Sequence, residues 1–194
     1  MKRIIIICSL LFVLSFLLVG QKPSNPSYRY YANPGFVNIT ELHYGEGIII
    51  SELDITNPNR YAGITNVFAY QANRNFLGGI GLGYFQFDKG QLFPVFLEYR
   101  YSIYLRAFTP YFFADGGGLL SVSDFLNDSK IFINPGFGVS RYISKNLELN
   151  LSAGFSVQSR ATITSIAVLN FKLGITYRKN PYRMLKADNN NYYF

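Results

Sequence analysis

Residues 147–157 carry two chemistries on opposite sides of one extended segment. Leu147, Leu149, Leu151, Ala153, Phe155 and Val157 occupy alternate positions, with Glu148, Asn150, Ser152, Gly154 and Ser156 between them. Successive side chains of a β-strand point to opposite faces, so this period of two makes one apolar surface backed by one polar surface. The pattern recurs over 167–177, where Leu169, Phe171, Leu173, Ile175 and Tyr177 oppose Asn170, Lys172, Gly174 and Thr176. It recurs again over 131–139 and over 93–101, where Leu97, Tyr99 and Tyr101 oppose Glu98 and Arg100. In 111–120 the glycines 116–118 leave the facing of Asp115 open. Segments 63–72 and 76–87 are rich in β-formers and glycine but alternate poorly. A first strand over 35–46 is ambiguous, because Asn38, Thr40 and Glu41 do not sort onto one side. The reading is eight strands, all β.

Alternation of this kind also describes a soluble sandwich or a lipocalin-like binding barrel, whose apolar side points inward. Three features place the apolar side outward, against acyl chains. Glu98, Arg100, Glu148 and Lys172 occupy mid-strand positions on the polar face, among small residues of the kind that fill a narrow lumen. The apolar face runs nearly free of charge over roughly 9–11 residues, the reach of a tilted membrane strand. Phe36, Tyr70, Phe76, Tyr99, Tyr101, Tyr111, Tyr142 and Tyr177 fall at the strand ends of one side, where aromatic rings suit headgroup depth. Composition agrees: 18% of residues are aromatic and only 15% charged, against roughly 25% charged in soluble domains. Connections alternate between tight turns, 73–75 and 143–146, and longer links at 47–62 and 121–129. The expectation is an eight-stranded, antiparallel, up-and-down transmembrane β-barrel.

Met1-Lys2-Arg3 followed by the apolar run Ile4–Val19 reads as a secretory signal peptide over residues 1–20. The run is shorter than the roughly 20 residues of a spanning helix. Cys8, the only cysteine, lies inside it, so the mature chain offers no thiol for a disulfide or a metal. The expected organisation continues with a periplasmic linker over 21–33, the barrel over 34–179 and a periplasmic tail over 180–194. Much of the positive charge falls from Arg178 onward, with Lys179, Arg183 and Lys186 against Asp188. No aromatic stripe interleaves these charges as in a nucleic-acid groove, so no nucleic-acid partner is expected. A contact between this tail and anionic cell-wall polymer, or another periplasmic partner, is expected on electrostatic grounds.

Three stretches carry a family resemblance: Gly35-Phe36-Val37-Asn38-Ile39-Thr40-Glu41-Leu42, Thr109 to Gly117, and Phe132 to Val139. With them the chain resembles the small eight-stranded outer-membrane barrels of the OmpA/OmpX type from Gram-negative bacteria. Lys172, Gly174 and Tyr177 are similar to the last-strand assembly signal of that group, although Lys179 stands where a second aromatic is expected. The resemblance implies residence in the outer membrane among phospholipid and lipopolysaccharide, and insertion by the barrel-assembly machinery. It implies no cofactor and no catalytic residue. The roles it leaves open are envelope-structural, adhesive through outer loops, or a minor channel.

Candidate chemistry is sparse. A catalytic triad, a zinc site or a histidine base would all need His43, the only histidine, as in a lipid-modifying outer-membrane enzyme. The interior set Glu98, Arg100, Asp115, Glu148, Asn150 and Lys172 reads either as a gate in a narrow pore or as charges paired because isolated ones are costly to bury. If the last hairpin turns near residues 159–162, Glu148 and Asn150 lie close to Lys172. Glycines 78, 79, 81 and 83 lack the lysine, hydroxyl and helix of a phosphate loop, and serve strand packing.

Overall fold

The computed structural model describes residues 28–48, 60–88, 90–105, 108–121, 129–159, 165–180 and 183–186. The expected signal peptide, most of the 47–62 and 121–129 links and the end of the tail lie outside the described residues.

Eight strands close into one antiparallel barrel. They are β2 (Gly35–Gly47), β3 (Tyr61–Gln71), β4 (Phe76–Phe87), β5 (Gly90–Ser102), β6 (Thr109–Leu120), β7 (Lys130–Tyr142), β8 (Leu147–Ser159) and β9 (Ser165–Arg178). Each pairs with its chain neighbour, and β2 closes the ring against β9 from Val37↔Arg178 to Gly47↔Val168. Closure leaves no unpaired edge, which is what a bilayer demands of a sheet. β5, β7, β8 and β9 each extend beyond the alternating stretch legible in the sequence, because pairing continues past it. The β3–β4 turn is held by the Asn73 side-chain oxygen, which accepts from the backbone N–H of Asn75 and of Phe76 at 2.9 Å each. At the opposite end β4 and β5 join through Phe87↔Gly90, where Gly90 takes a φ of +151° that suits only glycine.

Two further strands lie outside the ring. β1 (Tyr28–Tyr31) pairs antiparallel with β10 (Arg183–Lys186), with Tyr28 opposite Lys186 and Tyr31 opposite Arg183. The segments before and after the barrel, read from the sequence as a separate linker and tail, are thus joined as one two-stranded ribbon. Neither strand has hydrophobic periodicity of its own, and the pairing depends on the barrel bringing both chain ends to the same rim.

The outward faces form a continuous apolar belt: Phe68, Phe112, Ile131, Ile133 and Phe137 are each at least 60% exposed. Charges on the outward side of the barrel strands, Glu46 and Arg141, stand near strand ends. The ambiguity of the first strand resolves here. Val37, Ile39, Glu41 and His43 point inward and are buried. Asn38 and Thr40 point outward and meet Asn66 of β3. Asn38 and Asn66 exchange side-chain amide bonds of 2.8 and 3.0 Å, and Asn66 donates to Thr40 at 2.8 Å. The trio satisfies itself within the apolar belt, where unpaired amides would be costly. Tyr111 and Tyr142 depart from the expected aromatic girdle. They follow the inward parity of their strands, Tyr111 being only 3% exposed and Tyr142 lying opposite the inward Glu148. The other six girdle residues do face outward.

Segments β3 and β4 alternate poorly because the lumen is not polar throughout. Toward the end opposite the termini it is packed with Tyr61, Phe85, Phe87, Leu92, Phe96, Leu119 and Phe132. Glycines make room for these rings: a Cβ on Gly81 would stand 2.2 Å from the Phe96 ring. On Gly117 it would stand 2.2 Å from the Val95 backbone oxygen, which cannot swing away. Gly117→Val is therefore expected to destabilise the barrel by about 1–3 kcal/mol. Gly116→Val, on the outward face where the nearest atom is 3.8 Å away, is expected to change stability by less than about 0.5 kcal/mol. Urea unfolding in lipid vesicles, read by circular dichroism, separates the two.

Candidate functional site

All six interior residues expected from the polar faces point into the lumen and are buried. Glu98, Asn150 and Lys172 are at most 2% exposed, with Asp115, Glu148 and Arg100 close behind. Asp115, whose facing the sequence leaves open, joins them because Gly116 and Gly118 carry the outward parity.

The lumen centre is one ionic network built from four strands. Arg100 donates to Glu41 at 2.5 Å and makes a very short contact with Glu98, two residues away on its own strand. Lys172 donates to Asp115 at 2.5 Å and lies 3.4 Å from Glu41. Glu41 of β2 thereby bridges Arg100 of β5 and Lys172 of β9. Asn134 donates to the same Asp115 oxygen at 3.0 Å. Two aromatic faces complete the cage, with Lys172 4.1 Å from the Phe113 ring centre and Arg100 4.8 Å from that of Tyr111.

Glu148 and Asn150 do not approach Lys172, contrary to the sequence reading. The β8–β9 register sets Lys172 opposite Ser152, Asn150 opposite Gly174 and Glu148 opposite Thr176, so Glu148 is well down the strand from Lys172 and Asn150 turns to Thr176 instead. Glu148 belongs to a second layer nearer the chain termini. It accepts from Arg178 at 3.2 Å and makes a very short contact with the Ser140 hydroxyl. Arg178 also donates to Gln71 at 2.7 Å, and Asn150 donates to Thr176 at 2.6 Å. Arg178 is thus a lumen residue rather than the first charge of a tail. It stands two residues beyond Thr176, and the parity already visible in 167–177 is the signal that finds it. Glu41 is the residue the sequence hid, since its strand mixes polar side chains on both faces.

His43 is buried beside this centre. Its Nε2 is 2.7 Å from the Thr65 hydroxyl and 3.9 Å from Glu41. Both contacts fall on the same ring nitrogen, whereas an acid–base relay needs the carboxylate on one nitrogen and the hydroxyl on the other. Among the described residues no cluster of three or more His, Cys, Asp or Glu side chains has the geometry of a metal site.

In the proposed assembly signal, Lys172 points into the lumen network and Tyr177 is half exposed on the outer face. Gly174 is where β9 packs against Glu41, whose Cγ would lie 2.6 Å from an added Cβ. A side chain there would displace the carboxylate that bridges the network.

No protein-family model matches the chain, and no curated protein sequence does. Solved structures do. Neisserial surface protein A superposes with a TM-score of 0.57 at 12% identity, over 76% of this chain and 99% of that one. The chain has the fold of a small outer-membrane β-barrel. The N-terminal barrel domain of Pseudomonas aeruginosa OprF matches at a TM-score of 0.47 and 12% identity, covering 75% of this chain and 100% of that domain. Ail, the attachment invasion locus protein of Yersinia pestis, matches at 0.46 and 15%, over 75% of this chain and 99% of its own. At these identities the likeness concerns the backbone of the barrel. The lumen network is described by this chain's own residues.

Proposed function

We propose that the chain is a non-conducting, non-enzymatic membrane anchor of the Gram-negative outer membrane, which presents the β1–β10 ribbon on the periplasmic side. One observation carries this reading: among the described residues, paired charges and packed rings fill the lumen except for one cavity of about 10 Å³. Glu41, Arg100, Glu98, Lys172 and Asp115 span the centre, and the Phe85–Phe96–Phe132 layer lies over them. Eight strands enclose an interior just wide enough for side chains to fill. The apolar belt supports contact with phospholipid and lipopolysaccharide, and the last strand supports insertion by the barrel-assembly machinery through Lys172, Gly174 and Tyr177. The basic residues Arg183 and Lys186 on the ribbon favour anionic cell-wall polymer as the periplasmic partner.

Cell fractionation is expected to place the protein in the outer membrane, with a gel band that shifts on boiling. In planar bilayers the purified barrel is expected to give no resolvable conductance steps. Regular steps whose size or frequency changes in Lys172→Glu would replace the anchor reading with a gated pore. Deleting residues 181–194 is expected to abolish pull-down by insoluble cell wall while leaving the heat-modifiable band in place; undiminished pull-down would remove the polymer contact.

A further inference from the structure

Beside the ionic centre lies a cavity of about 10 Å³, roofed by Phe96, Leu119 and Phe132. That is close to the smallest space that admits one water-sized particle. Four side chains on its wall, Asp115, Asn134, Gln158 and Asn170, are each at most 3% exposed. One oxygen of each, Asp115 Oδ1, Asn134 Oδ1, Gln158 Oε1 and Asn170 Oδ1, makes no hydrogen bond. They come from four successive strands, β6 to β9. For Asn134 the orientation is set from outside the cavity: its Nδ2 donates to the other Asp115 oxygen, which leaves Oδ1 as a pure acceptor. His43 lines the same cavity with its Nδ1 turned to Asn170, which leaves Asp115, Asn134 and Gln158 with no donor on the wall; that is an unusual arrangement, because each forgoes hydration.

The charge count of the centre points the same way. Three carboxylates, Glu41, Glu98 and Asp115, face two cations, Arg100 and Lys172, all of them at most 6% exposed. With all three carboxylates ionised and His43 uncharged the centre carries one negative charge in excess, and a buried excess charge is expensive. Water is a poor answer to both facts. It donates at most two hydrogen bonds, fewer than these acceptors need, and brings no charge. A divalent ion is also a poor answer, since calcium favours several carboxylates and six to eight oxygens, and this wall supplies one carboxylate.

We propose that the cavity binds one dehydrated alkali cation, sodium or potassium, through the side-chain oxygens of Asp115, Asn134, Gln158 and Asn170. One carboxylate and three amide oxygens neutralise a single positive charge, and the ion balances the excess of the centre. It acts as a structural counter-ion, locking β6 to β9 around the network. The site is independent of whether the lumen conducts.

The test uses the full mature barrel folded in detergent micelles. Its melting is followed by the unboiled gel band in chloride salts of sodium, potassium and N-methylglucamine at equal ionic strength. The midpoint is expected to be about 4 °C higher in sodium or potassium than in N-methylglucamine, which is too large to enter. The difference between sodium and potassium names the preferred ion. Gln158→Met removes one ligand at similar volume; it is expected to fold, to melt in N-methylglucamine no lower than the unaltered barrel, and to lose most of the alkali shift. Equal midpoints in all three salts would mean that the cavity holds water at most, and would overturn the site. An undiminished shift in Gln158→Met would mean an adventitious ion only, bound elsewhere on the barrel, and would overturn it equally.

Discussion

Replacing Lys172 with methionine is expected to lower the unfolding free energy of the barrel by about 3–5 kcal/mol, the cost of removing one partner from a buried charge network. The Lys172 ammonium donates to Asp115 at 2.5 Å and stands 3.4 Å from Glu41, and it is 1% exposed. Without it, the protein's own partner for Asp115 is the Asn134 amide, and Glu41 keeps only Arg100 as a close cation. Methionine fills much of the same volume and can still lie against the Phe113 ring, so the loss reports charge rather than packing. The double variant Lys172→Met with Asp115→Asn removes both ends of the pair, and its cost is expected to fall to about 1–2 kcal/mol, because the stranded carboxylate is gone. The chain has no tryptophan, so urea unfolding is followed by circular dichroism or by the unboiled gel band. Additive costs in the double variant would show that Lys172 and Asp115 act independently, and the central network would then be only a set of neighbours.

The second large effect concerns the outside of the same strand. Phe171 points outward near the middle of β9 and is 42% exposed. Phe171→Arg is expected to cost about 2–4 kcal/mol in lipid vesicles, the penalty for a cation at the bilayer midplane. Leu147→Arg, at the first residue of β8, is expected to cost about 0–1 kcal/mol, because an arginine at the rim reaches the headgroups. The contrast between the two positions is the measurement that matters. Equal costs would mean that the belt does not lie across a hydrocarbon layer, and the soluble-barrel alternative would return. Both side chains point away from the lumen network, and the cost of Leu147→Arg, far from Lys172 along the strand, is expected to add to that of Lys172→Met.

The eight barrel strands, their antiparallel order and the outward apolar belt were legible in the residues themselves. In β5, β7, β8 and β9 the period of two is nearly unbroken, and it assigns Glu98, Arg100, Glu148, Asn150 and Lys172 to one side without any knowledge of the partner strands. Parity would also have assigned Arg178 and Tyr142 inward, had it been carried through to the strand ends. What alternation could not supply was the facing of β2, β3, β4 and β6. In β2 both faces are polar because Asn38 and Thr40 bond to Asn66 across the sheet. In β3 the inward face mixes Tyr61 and Gly63 with Thr65, Val67, Ala69 and Gln71, and in β4 three glycines precede Phe85 and Phe87, because large rings and missing side chains share one narrow interior.

Partnership inside the lumen belonged to the tertiary structure alone. A strand's own sequence sets which way each side chain points, since that follows from the local geometry of the peptide. Which charges meet depends on register between strands and on how far each arm reaches across the ring. Glu41 and Arg100 are 59 residues apart and join across the lumen, Lys172 reaches Asp115 over 57 residues, and Glu148, close to Lys172 in the sequence reading, turns to Arg178 instead. The ribbon of β1 with β10 has the same origin. Closing the barrel brings both chain ends to one rim, and only then do two short segments with no pattern of their own find each other.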